Sequence, residues 1–141
     1  MHNLLLFILL GLASLSSIAS AEPLDVPDQI AGASNLSAEQ VVQLILQHPQ
    51  LVLIDSRKKR EYLKGHIEGA INMLNTDMTR KSLAAISQGP ESILLFYCNG
   101  QRCLRSSDAV RKALSWGYKN IYWFRGGWQE WTDKRLPVIT K

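Results

Sequence analysis

The sequence predicts an α/β domain, a mostly parallel sheet flanked by helices on both faces. Three observations lead there. Apolar runs such as "LVLI", "SILLFY" and "NIYWF" recur without the alternation of a half-wetted strand, so each strand is buried on both sides. Stretches with helical periodicity separate those runs. No segment repeats and none is of low complexity, so strand and helix alternate along a single domain.

Residues 22–36, "EPLDVPDQIAGASNL", carry two prolines and little periodicity, and read as an extended leader with room for a short strand at its end. "LSAEQVVQLILQHP" is a helix. Ser37 caps it, Gln40 completes a capping box, Val41, Leu44 and Ile45 share one face, and Pro49 stops it. "LVLID" (51–55) is a buried strand ending in an acid, and "KREYLKG" a short helix closed by Gly65. "GAINM" (69–73) is a second strand, and "DMTRKSLAAISQGP" a helix ended by Gly89-Pro90. "SILLFY" (92–97) is the third apolar strand. "SSDAVRKALSWG" then forms a helix that packs through Ala109, Val110, Ala113 and Leu114 and leaves by a left-handed cap at Gly117. "NIYWF" is a further strand, "RGGWQEW" a turn into a last short helix, and "LPVI" a tail.

The front of the chain points to export. Residues 1–21 pair an apolar run, Leu4 to Leu12, with the small-residue site Ala19-Ser20-Ala21, the pattern of a cleaved signal peptide. The run is short for a membrane span, so no stable membrane association is expected after cleavage. The expected division is therefore a signal peptide over 1–21, the leader over 22–36 and one domain over 37–141, in a periplasmic protein. The net charge of +4 favours small anionic ligands and does not indicate nucleic acid. "RKKR" (57–60) reads as a solvated helix start.

Chemistry concentrates in "FYCNGQRCLRSS" (96–107). Both cysteines of the chain, Cys98 and Cys103, stand there beside Arg102 and Arg105. In an oxidising compartment such a pair would ordinarily be a structural disulfide. Cys98, however, lies where a strand end feeds a helix start, the usual ligand position in parallel sheets. Unpaired amides and the two arginines favour thiolate over thiol there. Gly100 permits the tight turn, and amides turned inward would cradle an anion. The residues describe an activated nucleophile, Cys98, in an anion-binding loop. Two cysteines without clustered histidines make a poor zinc set, there is no phosphate-binding glycine loop, and no cofactor or metal is implied.

The chain resembles rhodanese domains in three ordered blocks. "LIDSRKKREYLKGHIEGAINM" (53–73) is similar to their front signature, "FYCNGQRC…RSSDAV" to their active-site strand, loop and helix, and "FRGGWQEWTDKRLPV" (124–138) to their closing motif. The resemblance implies a sulfurtransferase. Cys98 would carry a sulfane sulfur, taken as a persulfide from a small anionic donor such as thiosulfate. It would pass it to a thiophilic acceptor, cyanide or a thiol, a protein thiol included. Asn99, Gly100, Gln101, Arg102, Cys103 and Arg105 would bind the donor. Asp55, Arg57, Glu61, Gly65 and His66 map onto the front motif, where they hold the fold. An ion pair is expected for Asp55 and Arg57, a structural hydrogen bond for His66, and packing for Trp116, Tyr118, Trp123, Trp128 and Trp131.

The loop itself departs from the common rhodanese count, in which an Arg stands five after the cysteine. Here Cys103 stands at that place, and the loop resembles a Cys-x-Gly-x-x-Cys subgroup. Two alternatives to sulfur transfer follow. One is a thiol–disulfide or persulfide redox protein using Cys98 and Cys103; the other is a non-catalytic module that binds an anion or a partner. A phosphatase fits least, because its cysteine-to-arginine count is not met and a second loop cysteine exposes the nucleophile to oxidation.

Overall fold

The computed structural model describes residues 25–140; the expected signal peptide lies outside them. Five strands, β1 (Ala33–Asn35), β2 (Val52–Asp55), β3 (Ile71–Asn72), β4 (Ile93–Tyr97) and β5 (Asn120–Phe124), form one parallel sheet in the order β1-β5-β4-β2-β3. Helices α1 (Ala38–Gln47), α2 (Lys59–Lys64), α3 (Arg80–Ile86), α4 (Leu104–Ser115) and α5 (Gly127–Asp133) connect and cover it. No helix among the described residues is long and apolar enough to cross a membrane.

The period of two along β4 builds two cores. Leu94 and Phe96 pack with Leu83 of α3 and with Ala109, Val110 and Ala113 of α4. Leu95 and Tyr97 pack the other way, with Val41 and Leu44 of α1 and Trp131 of α5. The expected aromatic packing divides between these faces, with Trp116, Tyr118 and Trp123 in the first and Trp128 and Trp131 in the second.

The capping box predicted for α1 is present. Ser37 Oγ accepts from the Gln40 amide, and Gln40 Oε1 from the Ser37 amide at 2.8 Å. Glu130 of α5 adds a cap from across the fold, its Oε1 accepting from the Ala38 amide at 2.8 Å. Gly117 leaves α4 at φ 93, as the left-handed exit requires.

Several boundaries and roles differ from expectation. β3 has two paired residues, because only Ile71 and Asn72 find partners on β2. α3 starts from a Thr79–Ser82 capping box and ends at Ser87, before the glycine. Gly65 closes α2 in extended backbone at φ 164. Its lack of a side chain serves contact, since a Cβ would meet the Trp128 ring at 3.1 Å. Arg57 is no part of a solvated helix start, being 2% exposed and paired with Asp55. The tail is pinned by reciprocal amide bonds between His66 and Ile139, 3.0 and 2.9 Å.

The connections determine where a site belongs. From β2 the chain moves outward to β3 through α2, whose Tyr62 packs on the second core. From β4 it moves the opposite way to β5, through α4 on the first core. β2 and β4 are paired neighbours whose crossovers leave for opposite faces. The crevice beyond their C-terminal ends is the switch point where such sheets bind ligands.

Candidate functional site

Under that crevice lies a buried polar platform. Asp55 ends β2 and Tyr97 ends β4, in register. The Asp55 carboxylate receives Arg57 Nε at 3.0 and 3.1 Å, Arg57 Nη2 at 2.7 Å and the Tyr97 hydroxyl at 2.6 Å. Arg57 Nη2 also donates to the Gly65 carbonyl at 2.7 Å, and its guanidinium lies 4.4 Å from the Trp128 ring centre. A buried pair persists only when good geometry and further hydrogen bonds support it, and here both Asp55 oxygens and the Nε and Nη2 of Arg57 are bonded. Burial opposes the Arg57 charge, but the Asp55 carboxylate outweighs it and raises the pKa. Burial, then the Asp55 charge, push the Tyr97 hydroxyl far above its ordinary range, so it stays a neutral donor.

β4 runs straight from this platform into the loop. Cys98 follows Tyr97 and is bridged to Cys103, with Cα atoms 6.1 Å apart. α5 fastens the loop through its own first amides, which helix geometry leaves unpaired. The Trp128 amide donates to the Cys98 carbonyl and the Gln129 amide to the Asn99 carbonyl, both at 2.8 Å. The approach is so close that a Cβ on Gly127, at φ 54, would collide with the Cys98 carbonyl. That collision accounts for the second glycine of "RGGW".

Glu61 of α2 fastens the other side. Its Oε1 accepts from Asn99 Nδ2 at 2.7 Å, and its Oε2 from Arg105 Nη1 at 3.1 Å and the Lys58 amide at 3.0 Å. Partial burial would raise its pKa, but the bonds from Asn99 and Lys58 and the Arg105 charge prevail and lower it. Arg105 Nε also lies 3.4 Å from Cys103 Sγ. Arg102 is exposed and makes no side-chain bond or ion pair among the described residues.

An open pocket of about 900 Å³ lies against the loop, lined by Asn99, Gly100, Gln101, Arg102, Cys103, Leu104 and Arg105 on one side. Gly126, the α5 residues Gln129, Glu130 and Asp133, and the C-cap Lys134 line the other. All six residues expected to bind a donor therefore share one wall. Among the described residues, the amides of Asn99, Gly100, Gln101 and Arg102 donate to no backbone carbonyl.

Residues 37–134 match the family model described as the rhodanese-like domain. The chain belongs to that family. A curated relative, the tRNA uridine(34) hydroxylase of Photorhabdus laumondii, is 33% identical over 111 residues. The match covers 73% of this chain and 30% of the hydroxylase, so the chain spans under a third of that relative's length. Two solved structures share the fold. The polysulfide-sulfur transferase of Wolinella succinogenes superposes with a TM-score of 0.62 at 23% identity, covering 79% of this chain and 81% of that one. The thiosulfate sulfurtransferase of Pseudomonas aeruginosa superposes with 0.61 at 22%, covering 77% and 20%.

Within this rhodanese-like domain the bridged state corrects one expectation. Cys98 was read as a reachable thiolate, yet it is 1% exposed and its sulfur is bonded to Cys103. Cys98 does not line the pocket, whereas Cys103 does. α4 also starts two residues before the expected Ser106, with Cys103 as its N-cap. His66 behaves as expected, stacking on Tyr62 and donating from Nδ1 to the Tyr62 carbonyl at 3.0 Å. Glu61 was assigned only to the fold, but it ties Asn99 and Arg105 together. The α5 wall belongs to the closing block "FRGGWQEWTDKRLPV", more than 20 residues downstream, and no local pattern there shows that Gln129, Glu130 and Asp133 face the loop.

Proposed function

We propose that this domain is a sulfurtransferase that works when the Cys98–Cys103 bridge is reduced. One observation carries the reading: the central strand is followed directly by a cysteine whose loop lines an open pocket with four amides free of backbone partners and an unpaired arginine. The free Cys98 thiolate attacks the sulfane sulfur of a small anionic donor such as thiosulfate. A sulfur–sulfur bond forms on Cys98, the donor's own sulfur–sulfur bond breaks, and sulfite leaves with the electron pair. The loop amides and Arg102 stabilise the donor's negative charge. A thiophilic acceptor, cyanide or a thiol, then attacks the outer sulfur and restores the thiolate.

The family membership and the sulfurtransferases among the fold neighbours support the reading. Thiocyanate formation from thiosulfate and cyanide tests it. Reduced protein should turn over and Cys98→Ser should not; turnover that survives Cys98→Ser would end it. We take the working form to be the exported one, and an N-terminal sequence starting at Glu22 is the corresponding test.

The bridge favours a second reading, in which Cys98 and Cys103 exchange electrons with external thiols. A thiol and a resolving partner five residues apart are what such exchange needs.

A further inference from the structure

We infer that Cys103, not Cys98, is the sulfur at which an external dithiol enters, so that the two cysteines form a redox couple with a fixed order of attack. The inference deepens the redox reading and does not depend on sulfur transfer. Thiol–disulfide exchange proceeds by attack on one particular sulfur, and access helps to decide which. Cys103 is half-buried and lines the 900 Å³ pocket, while Cys98 is 1% exposed and is absent from its walls. The Cys98 carbonyl is fastened by the Trp128 amide at 2.8 Å, which keeps this residue at the end of β4. Arg105 Nε lies 3.4 Å from Cys103 Sγ, a cation that favours its thiolate and so assists the later step in which Cys103 is the leaving group.

The exchange runs in two steps. A partner thiolate attacks Cys103 Sγ and forms a mixed disulfide. The Cys98–Cys103 bond breaks, and its electron pair goes to Cys98 Sγ, which takes up a proton. The partner's second thiol then loses its proton and attacks the partner's own sulfur in the mixed disulfide. A partner disulfide forms and Cys103 leaves as a thiolate beside Arg105, protonated in turn from solvent. Two electrons and two protons pass from the dithiol to the cysteine pair. The reduced pair that results is the form that the sulfurtransferase reading requires, so Cys103 is the entry point that frees Cys98.

The test uses the oxidised full chain and 2-mercaptoethanol, a monothiol whose first attack leaves a mixed disulfide and whose second molecule is needed to go further. Brief exposure is followed by alkylation of the freed thiol. Trypsin cuts after Arg102, so the two cysteines fall in separate peptides. The expected result is the probe on Cys103 and the alkyl group on Cys98, at about 10:1 or more over the reverse. A reverse or even distribution overturns the inference and leaves the redox reading standing; a bridge that stays intact, with neither cysteine alkylated, removes both. A second measurement avoids trapping. Cys103 in Cys98→Ser should react with an aromatic disulfide at least ~10-fold faster than Cys98 in Cys103→Ser. Equal rates, or a faster Cys98, contradict the assignment. Neither assay contains thiosulfate, so sulfur transfer is judged separately.

Discussion

Glu61 Oε1 accepts a hydrogen bond from Asn99 Nδ2 at 2.7 Å, across 38 positions of sequence. With the Arg105 bond to its other oxygen, this contact ties α2 to both ends of the cysteine loop. The Glu61 pKa is lowered in the fold, so its stabilisation is present above the unfolded carboxylate value and lost as pH falls through the folded one. Glu61→Gln should abolish that acid-side loss of loop order, measured by hydrogen exchange at Asn99 to Cys103. An unchanged acid profile would show that the loop does not depend on this carboxylate.

The Asp55–Arg57 pair is structural. Asp55→Ala strands a buried guanidinium and should cost about 3–5 kcal/mol in urea unfolding. A loss below about 1 kcal/mol would mean that Arg57 reaches water when freed.

Gly127→Ala combines a positive φ with a collision at the Cys98 carbonyl. It should destabilise the fold by more than about 1 kcal/mol and lower turnover by displacing the loop. Normal stability and turnover together would show that the α5 junction has slack.

The two loop arginines should separate. Arg102 has an exposed, unpaired side chain, so Arg102→Ala should raise KM for thiosulfate and weaken its salt dependence, with Tm unchanged. Arg105 is bonded to Glu61, so Arg105→Ala should lower Tm as well. Identical effects from both would contradict the division between ligand contact and loop anchor.

Most of the fold was legible because its signals are local. Burial on both faces wrote itself into "SILLFY", and the α1 cap into Ser37 and Gln40. The platform was half legible: the resemblance of the front motif implied an Asp55–Arg57 pair, but the Tyr97 hydroxyl and the Trp128 ring meet it only through sheet register and the return of α5. The reading of "RKKR" failed at Arg57, because a charge run says nothing of which side chain turns inward to a carboxylate. The loop composition marked the site but not its oxidation state. Which sulfur faces solvent depends on the path of residues 99–102 and on the α5 amides, which no local pattern encodes.

The central claim is that Cys98, once reduced, accepts a sulfur atom. Intact mass of the reduced chain after thiosulfate measures this directly. The account predicts a gain of one sulfur, removed by cyanide, absent in Cys98→Ser and retained in Cys103→Ser. A reduced chain that gains no sulfur, or one that gains it equally well without Cys98, would contradict the account.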